Sequence, residues 1–106
     1  MREHKYILVN GQPIPEPDSI KWAMWFENSL KERIVEKTQI GGVEVSTVFF
    51  GLNHSFSETG LPILWETMVF GGPLDGEQER YTSIEAAKMG HAEMVERIKN
   101  EHGRDA

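Results

Sequence analysis

The stretch VEVSTVFFGLNHSFSETGLPILWETMVFGGPLDGEQERY, residues 43–81, decides the expected fold of this chain. It contains two runs rich in β-branched and aromatic residues, at 43–52 and 63–70, separated by a polar loop at 53–62. A connection of that length favours an antiparallel pair. The glycine-rich run after residue 70 then indicates a compound turn into a last strand at 77–81. An antiparallel β-meander is therefore expected here.

A helical pattern precedes the meander, from about residue 19 to residue 36. Asp18 or Ser19 can cap its first turn, because both side chains accept hydrogen bonds from unpaired backbone amides. Trp22 and Trp25 lie beside its apolar stripe and indicate either a wide core-facing surface or an aromatic wall for a partner or ligand. The stripe itself recurs at the helical period and is predicted to face the sheet: Ile20, Ala23, Phe26 or Met24, Leu30 and Ile34.

The clearest helical pattern follows the meander. Thr82 and Glu85 have the spacing of a capping box, and apolar residues then repeat at helical intervals as far as Ile98. His91 falls within this apolar stripe. A histidine satisfied by core hydrogen bonds is the favoured interpretation there, and a ligand or base is the alternative. Gly90 beside it allows a close approach of the helix to the sheet.

The first residues add one more strand. Residues 5–10 have a strand pattern, Asn10-Gly11 is typical of a tight turn, and three alternating prolines indicate a connector over residues 11–17. The chain is thus predicted to be a single α+β domain over residues 1–106, with 100–106 as a frayed tail. The expected order is β-α-β-β-β-α, with a mainly antiparallel sheet of three to four strands and two helices packed on one face.

The composition is that of a globular domain. Of the 106 residues, 39% are hydrophobic and 26% are charged, and one core is enough for that length. The net charge of -6, without a basic cluster, argues against generic nucleic-acid binding. No cysteine occurs, which excludes disulfides, thiolate catalysis and cysteine-ligated metals. No apolar run is long enough for a membrane span or a secretory signal, so a cytoplasmic protein is expected.

Sequence motifs for catalysis are absent. The His-x-Glu run at residues 91–93 lacks the cysteine pair that would complete a deaminase zinc site, and the four histidines are too dispersed to predict a metal site. The phosphate-loop, dinucleotide, nucleophile-elbow and EF-hand patterns are also missing. We therefore expect no catalytic residues, no metal and no cofactor, and an enzyme is the less favoured interpretation.

Six side chains are candidates for contacts with a ligand or partner. Glu66 and Thr67 interrupt an apolar run, where a carboxylate is costly to bury without partners. Alternation places Glu66 on a solvent-facing side of the sheet. If helices or a second subunit cover that side, Glu66 becomes a hydrogen-bond acceptor for a ligand or for a neighbouring side chain. The candidate set combines these two residues with the aromatic and charged groups near the sheet: Trp22, Trp25, His54, Glu66, Thr67 and Arg80.

Five segments resemble a family of small, largely uncharacterised proteins from tailed bacteriophages and prophages: KYILVNGQPIPEPD, WAMWFE, VEVSTVFFGLNHSF, WETMVFGGPLDGEQERY and EAAKMGHAEMVERIK. The resemblance covers about residues 5–99, and the pieces STVF and ETMVFGG carry most of it. It implies an origin and a class of role, host takeover or counter-defence, and it provides no catalytic residues to carry over.

Three functional hypotheses remain open. The favoured one is a non-enzymatic binding protein, a homo-oligomer in the bacterial cytoplasm, that binds a host protein or sequesters a small nucleotide-like ligand. The second is a minor virion or assembly protein. The third is a small hydrolase that uses His54 or His91 together with Glu66.

Overall fold

The computed structural model describes residues 3–55 and 59–105, with side chains as far as residue 101. Residues 56–58 of the predicted loop lie outside the described residues. Four strands form an antiparallel sheet in the order β3-β4-β5-β6, and β1 pairs with β2 separately. The predicted α+β class is confirmed. The elements are β1 (Tyr6–Val9), β2 (Gln12–Pro15), α1 (Ser19–Asn28), α2 (Leu30–Arg33), β3 (Ile34–Ile40), β4 (Val43–Phe49), β5 (Trp65–Phe70), β6 (Gln78–Tyr81) and α3 (Ile84–Asp105).

The first two strands form a hairpin around the Asn10-Gly11 turn. Asn10 and Gly11 have positive φ, 52° and 79°, as a two-residue turn of the type I′ class requires. The prediction of a plain connector over residues 11–17 was wrong for Gln12–Pro15. Prolines are tolerated in this strand because it pairs on one side only, so a missing N–H need not interrupt a ladder.

The predicted first helix ends early, and a strand takes its place. Asp18 caps α1, its Oδ1 accepting from the amides of Ile20 and Lys21 at 2.9 and 3.1 Å. The helix stops at Asn28, α2 adds one short segment, and β3 begins at Ile34. The segment Ile34–Ile40 pairs antiparallel with β4 through a turn at Gly41 and residue 42. This pairing overrides the helical pattern that was predicted as far as residue 36.

The packing of α1 differs from the predicted stripe. Ile20, Met24 and Leu30 are 74%, 60% and 61% exposed, so these residues do not face the sheet. The helix instead packs through its tryptophans, against β1 and the edge of the core. The prediction that the apolar stripe of α1 faces the sheet was wrong because α1 packs against the hairpin of β1 and β2. The sequence had predicted the first strand of this hairpin and not the second.

The four-stranded sheet has one covered face, on which α3 packs across all four strands. Residues of β4 alternate between buried and half-buried, which puts Val43, Val45, Thr47 and Phe49 on the covered face. Of the described helices, none packs along the other face, which we call the open face. Its side chains come from all four strands and from the residue after β4: Ile34, Lys37, Gln39, Glu44, Ser46, Val48, Phe50, Glu66, Met68, Phe70, Gln78 and Arg80.

The turn after β5 and the last helix complete the domain. Gly71 has positive φ and its amide donates to Asp75 Oδ1 at 2.6 Å, so the glycine run forms a turn as predicted. The cap of α3 is Ser83, whose Oγ accepts from the Ala86 amide at 3.0 Å, one residue after the predicted cap. The helix continues to Asp105, past the start of the predicted frayed tail. No helix in the described ranges has the length and apolarity needed to cross a membrane.

Candidate functional site

The six predicted contact residues fall in three separate places. His54, Glu66 and Arg80 lie near one another on the open face. Thr67 is fully buried on the opposite face, under α3. The two tryptophans lie on α1, which follows the hairpin and precedes the sheet in the chain. The open face therefore brings together three of the six residues, and it is the place where their chemistry can combine.

Glu66 and Arg80 are direct cross-strand partners in β5 and β6. Arg80 Nε donates to Glu66 Oε2 at 2.9 Å. The Glu66 side chain is 17% exposed and that of Arg80 is 41% exposed, so solvent screens the pair in part. Within the part of the chain that the structure describes, the two terminal nitrogens of Arg80 form no hydrogen bond. One edge of the guanidinium is therefore available to an acceptor.

His54 packs against Phe50 beside this ion pair. The two ring centroids are 4.0 Å apart, with planes tilted by 37°. Burial lowers the pKa of His54 below its ordinary value, the positive charge of Arg80 lowers this pKa further, and Glu66 raises it. His54 is thus a neutral ring within electrostatic reach of the pair. We call Phe50, His54, Glu66 and Arg80 the open-face cluster.

The open-face cluster can hold a planar group and an anion side by side. Aromatic side chains stack on the planar face of any nucleic-acid base. A guanidinium edge binds phosphate or carboxylate through two parallel hydrogen bonds. Glu66 adds an acceptor for an N–H group of such a ligand. Its carboxylate is hydrogen-bonded to Arg80, which differs from the pairing with His54 that general base catalysis would require.

A chain of hydrogen-bonded hydroxyl groups crosses the covered face. Tyr81 Oη donates to Thr67 Oγ1 at 3.0 Å, and Thr67 Oγ1 lies 2.5 Å from Thr47 Oγ1. Thr47 Oγ1 lies 2.7 Å from His91 Nδ1, and His91 Nε2 lies 2.8 Å from Thr38 Oγ1. These contacts join β6, β5, β4, α3 and β3. We call Tyr81, Thr67, Thr47, His91 and Thr38 the buried hydroxyl chain.

His91 is a core histidine with partners on both nitrogens. Only 1% of its surface is exposed, which confirms the favoured prediction of a satisfied histidine. Burial lowers the pKa of His91, and Glu36, whose Oε2 lies 3.7 Å from His91 Nε2, partly raises it. The imidazole is therefore neutral near pH 7.

Tyr81 links the buried hydroxyl chain to a cavity of about 160 Å³ at the edge of α3. Its ring lies against Gly90, in space that a Cβ at position 90 would occupy. Burial raises the pKa of the Tyr81 hydroxyl, hydrogen bonding to Thr67 lowers it, and the charges of Glu79 and Glu93 raise it. Tyr81 therefore remains a protonated donor. The cavity is lined by Glu79, Tyr81, Gly90, Glu93, Met94 and Arg97.

The hydrolase hypothesis joined His91 or His54 to Glu66, and the sheet separates the first pair. His91 contacts Thr47 and Thr38 on the covered face, whereas Glu66 projects from the open face beside Arg80. No group of acidic or histidine side chains in the described residues could hold a metal ion.

The two tryptophans contact the protein's own backbone and core. Trp22 Nε1 donates to the Tyr6 carbonyl at 3.0 Å, and the Trp25 ring meets the Phe49 ring edge to face at 6.0 Å. Both side chains are half-buried. These contacts match the first of the two interpretations of the aromatic residues, a wide core-facing surface.

Sequence reasoning missed the partners that give each site its geometry. Phe50 was placed in the strand-like run 43–52 without its contact to His54, because that contact depends on the path of the following loop. Thr47 and Tyr81 were placed on their strands, but not in a chain with His91. Two features of the sequence indicate the chain of hydroxyl groups: a threonine within an apolar alternation and a glycine within a helix.

Comparison of the chain with protein-family models, with curated proteins and with solved structures finds no match in any of the three.

Proposed function

We propose that this chain is a small non-enzymatic binding protein of the phage type, acting in host takeover or counter-defence. In this proposal it sequesters a nucleotide-like ligand on the open face of its sheet, in the cytoplasm of the bacterial cell. The observation that carries the proposal is the Phe50 and His54 ring pair beside the unoccupied edge of Arg80.

Each part of the open-face cluster has a matching part in a nucleotide. The base stacks on the ring pair, and stacking on an aromatic side chain contributes about 1–3 kcal/mol per base. The phosphate binds the terminal nitrogens of Arg80. Glu66 accepts from an amino group of the base, as carboxylates do from cytosine. The cluster thus has both an aromatic and a charged contact for one ligand.

The overall charge favours a small ligand over a polynucleotide. A net charge of -6 repels a phosphate backbone, whereas a mononucleotide brings only one or two charges to a local cation. The cluster contains one arginine and no lysine, which suits a single phosphate.

Isothermal titration calorimetry with adenosine monophosphate and cyclic adenosine monophosphate tests the proposal, with adenosine and inorganic phosphate as partial ligands. Phe50→Leu and Arg80→Gln should each raise the Kd about tenfold, since each removes one of the two contacts. Arg97→Gln is the matched control, because Arg97 forms a comparable exposed ion pair with Glu77 at 3.2 Å. No nucleotide binding up to millimolar concentration, or an equal loss in the control, would contradict the proposal.

A host protein is the alternative occupant of the open face. The open face offers such a partner both apolar and charged side chains. Phe70 is 47% exposed and lies at the end of the sheet opposite to Phe50. A protein that copurifies with the wild type, and is lost from Phe70→Glu while nucleotides fail to bind, would support this alternative.

Self-association is proposed through α1. Its exposed apolar residues, Ile20 and Met24, are one helical turn apart, and Leu30 follows in α2. Apolar side chains exposed together in this way favour an interface between chains. Light scattering coupled to size exclusion should show an oligomer for the wild type and a monomer for Met24→Glu. A monomeric wild type at high concentration would contradict it.

A further inference from the structure

With Tyr81 as the donor to Thr67, the buried hydroxyl chain has one direction when His91 is neutral and carries its hydrogen on Nε2, the nitrogen that faces Glu36. Tyr81 donates to Thr67, so the Thr67 hydrogen is directed to Thr47 and the Thr47 hydrogen to His91 Nδ1. His91 Nδ1 is then the acceptor, and its hydrogen is on Nε2, which donates to Thr38. Tyr81, Thr67 and Thr47 each donate once along this path, and His91 donates from Nε2 to Thr38.

A proton on His91 Nδ1 is incompatible with that direction. Nδ1–H must donate to Thr47, so the Thr47 hydrogen turns to Thr67. The Thr67 hydrogen then has one remaining neighbour in the chain, the Tyr81 oxygen. Tyr81 must therefore accept where it previously donated, and its own hydrogen leaves the core.

We propose that the buried hydroxyl chain reverses when His91 takes up a proton, so that the Tyr81 hydroxyl turns from Thr67 to the cavity at the edge of α3. The device converts a protonation event under α3 into a change of hydrogen bonding at the surface. One proton enters at His91, every hydroxyl keeps its own hydrogen, and no bond between heavy atoms changes.

The groups that face both ends of the chain support this reversal. At the His91 end, Glu36 of β3 lies 3.7 Å from Nε2 and stabilises the positive charge. At the other end, Glu79 of β6 and Glu93 of α3 line the cavity, and the proposal assigns the released Tyr81 hydrogen to these carboxylates. In between, β4 and β5 contribute Thr47 and Thr67, which do not titrate.

The position of Gly90 allows the Tyr81 hydroxyl to change its hydrogen-bond partner. Its missing side chain lets the Tyr81 ring lie directly over α3, with the hydroxyl within reach of both Thr67 and the cavity. Glycine weakens a helix relative to alanine, so the close approach offsets a local loss of stability.

Nitrogen-15 NMR of the imidazole, recorded on the full chain as pH is lowered, tests the proposal. The neutral form of His91 should carry its hydrogen on Nε2. Tyr81→Phe keeps the ring and removes the oxygen that the charged state needs, so the His91 midpoint should fall by about one pH unit, a tenfold weaker proton affinity. Tyr6→Phe is the matched control, since Tyr6 lies in the core outside the chain, and it should leave the midpoint unchanged.

Thr67→Val interrupts the chain one step earlier and should lower the same midpoint. The double variant Tyr81→Phe with Thr67→Val should then fall no further than Thr67→Val alone, because the two residues act as one path. A neutral His91 with its hydrogen on Nδ1, or an unchanged or raised midpoint in both single variants, would overturn the proposal. If Tyr81→Phe does not fold, Thr67→Val alone decides the outcome.

Discussion

The ring of Tyr81 occupies the space over Gly90 in which any other residue would place its Cβ. The contact fixes β6 against the middle of α3 and holds the Tyr81 hydroxyl beside Thr67. A glycine that weakens the helix locally therefore enables a tertiary contact and one end of the buried hydroxyl chain.

Gly90→Ala should destabilise the protein, against the usual direction for glycine within a helix. Alanine gains about 1 kcal/mol of helix propensity, but its Cβ overlaps the Tyr81 ring, and overpacking typically costs about 1–3 kcal/mol. Urea unfolding followed by circular dichroism measures the difference. Gly42→Ala is the control, because no atom lies within 4 Å of a Cβ there and it should be close to neutral. A stabilised Gly90→Ala variant would show that β6 moves away without penalty.

Thr47→Val should lower the free energy of unfolding by about 1–3 kcal/mol, the cost of leaving a buried polar group without its partner. The methyl group fills the space of the hydroxyl, but His91 Nδ1 and Thr67 Oγ1 both lose their neighbour. Ser46→Ala, on the adjacent position of the same strand and on the open face, is the matched control. Chemical denaturation of both variants at pH 7 gives the comparison. Equal effects of the two changes would mean that the chain contributes nothing to stability.

Stability should decrease as pH falls below about 6.5, the ordinary pKa of histidine. Burial lowers the pKa of His91 in the folded state, so the unfolded chain binds the proton first. The stability that neutral His91 contributes is therefore complete above its pKa in the unfolded chain. It is lost as the pH decreases toward its lower pKa in the folded state. The free energy of unfolding of the wild type and of His91→Gln should be measured at pH 7.5, 6.5 and 5.5, and the difference between the two proteins should become smaller as the pH decreases. A difference between the two that is the same at every pH would contradict this assignment.

The two charges of the open-face cluster should move the pKa of His54 in opposite directions. Arg80→Gln removes a positive charge and should raise that pKa, whereas Glu66→Gln removes a negative charge and should lower it. Proton NMR titration of the His54 ring measures both, and Arg97→Gln should change neither. If both cluster variants shift the pKa in the same direction, His54 responds to loop rearrangement and not to these charges.

The sequence predicted the elements that have a strong local signal. The α+β class, the antiparallel meander, the glycine turn after β5 and the burial of His91 all follow from periodicity and turn chemistry. It failed for residues 34–36, which were predicted to continue the helix, and it assigned no strand to residues 37–40, because only pairing with β4 favours the extended state there. The stripe on α1 failed for a similar reason, since a short amphipathic helix does not specify which neighbour it will pack against.

The sequence by itself determined which side chains alternate along each strand, so Glu66 and Thr67 had to project from opposite faces. Only the tertiary structure decided which face is covered, because that depends on where α3 packs. That choice pairs Glu66 with Arg80 on the open face and buries Thr67 in a chain that reaches His91. Strand register and helix docking join residues far apart in the chain, and no local pattern of amino acids records those distances.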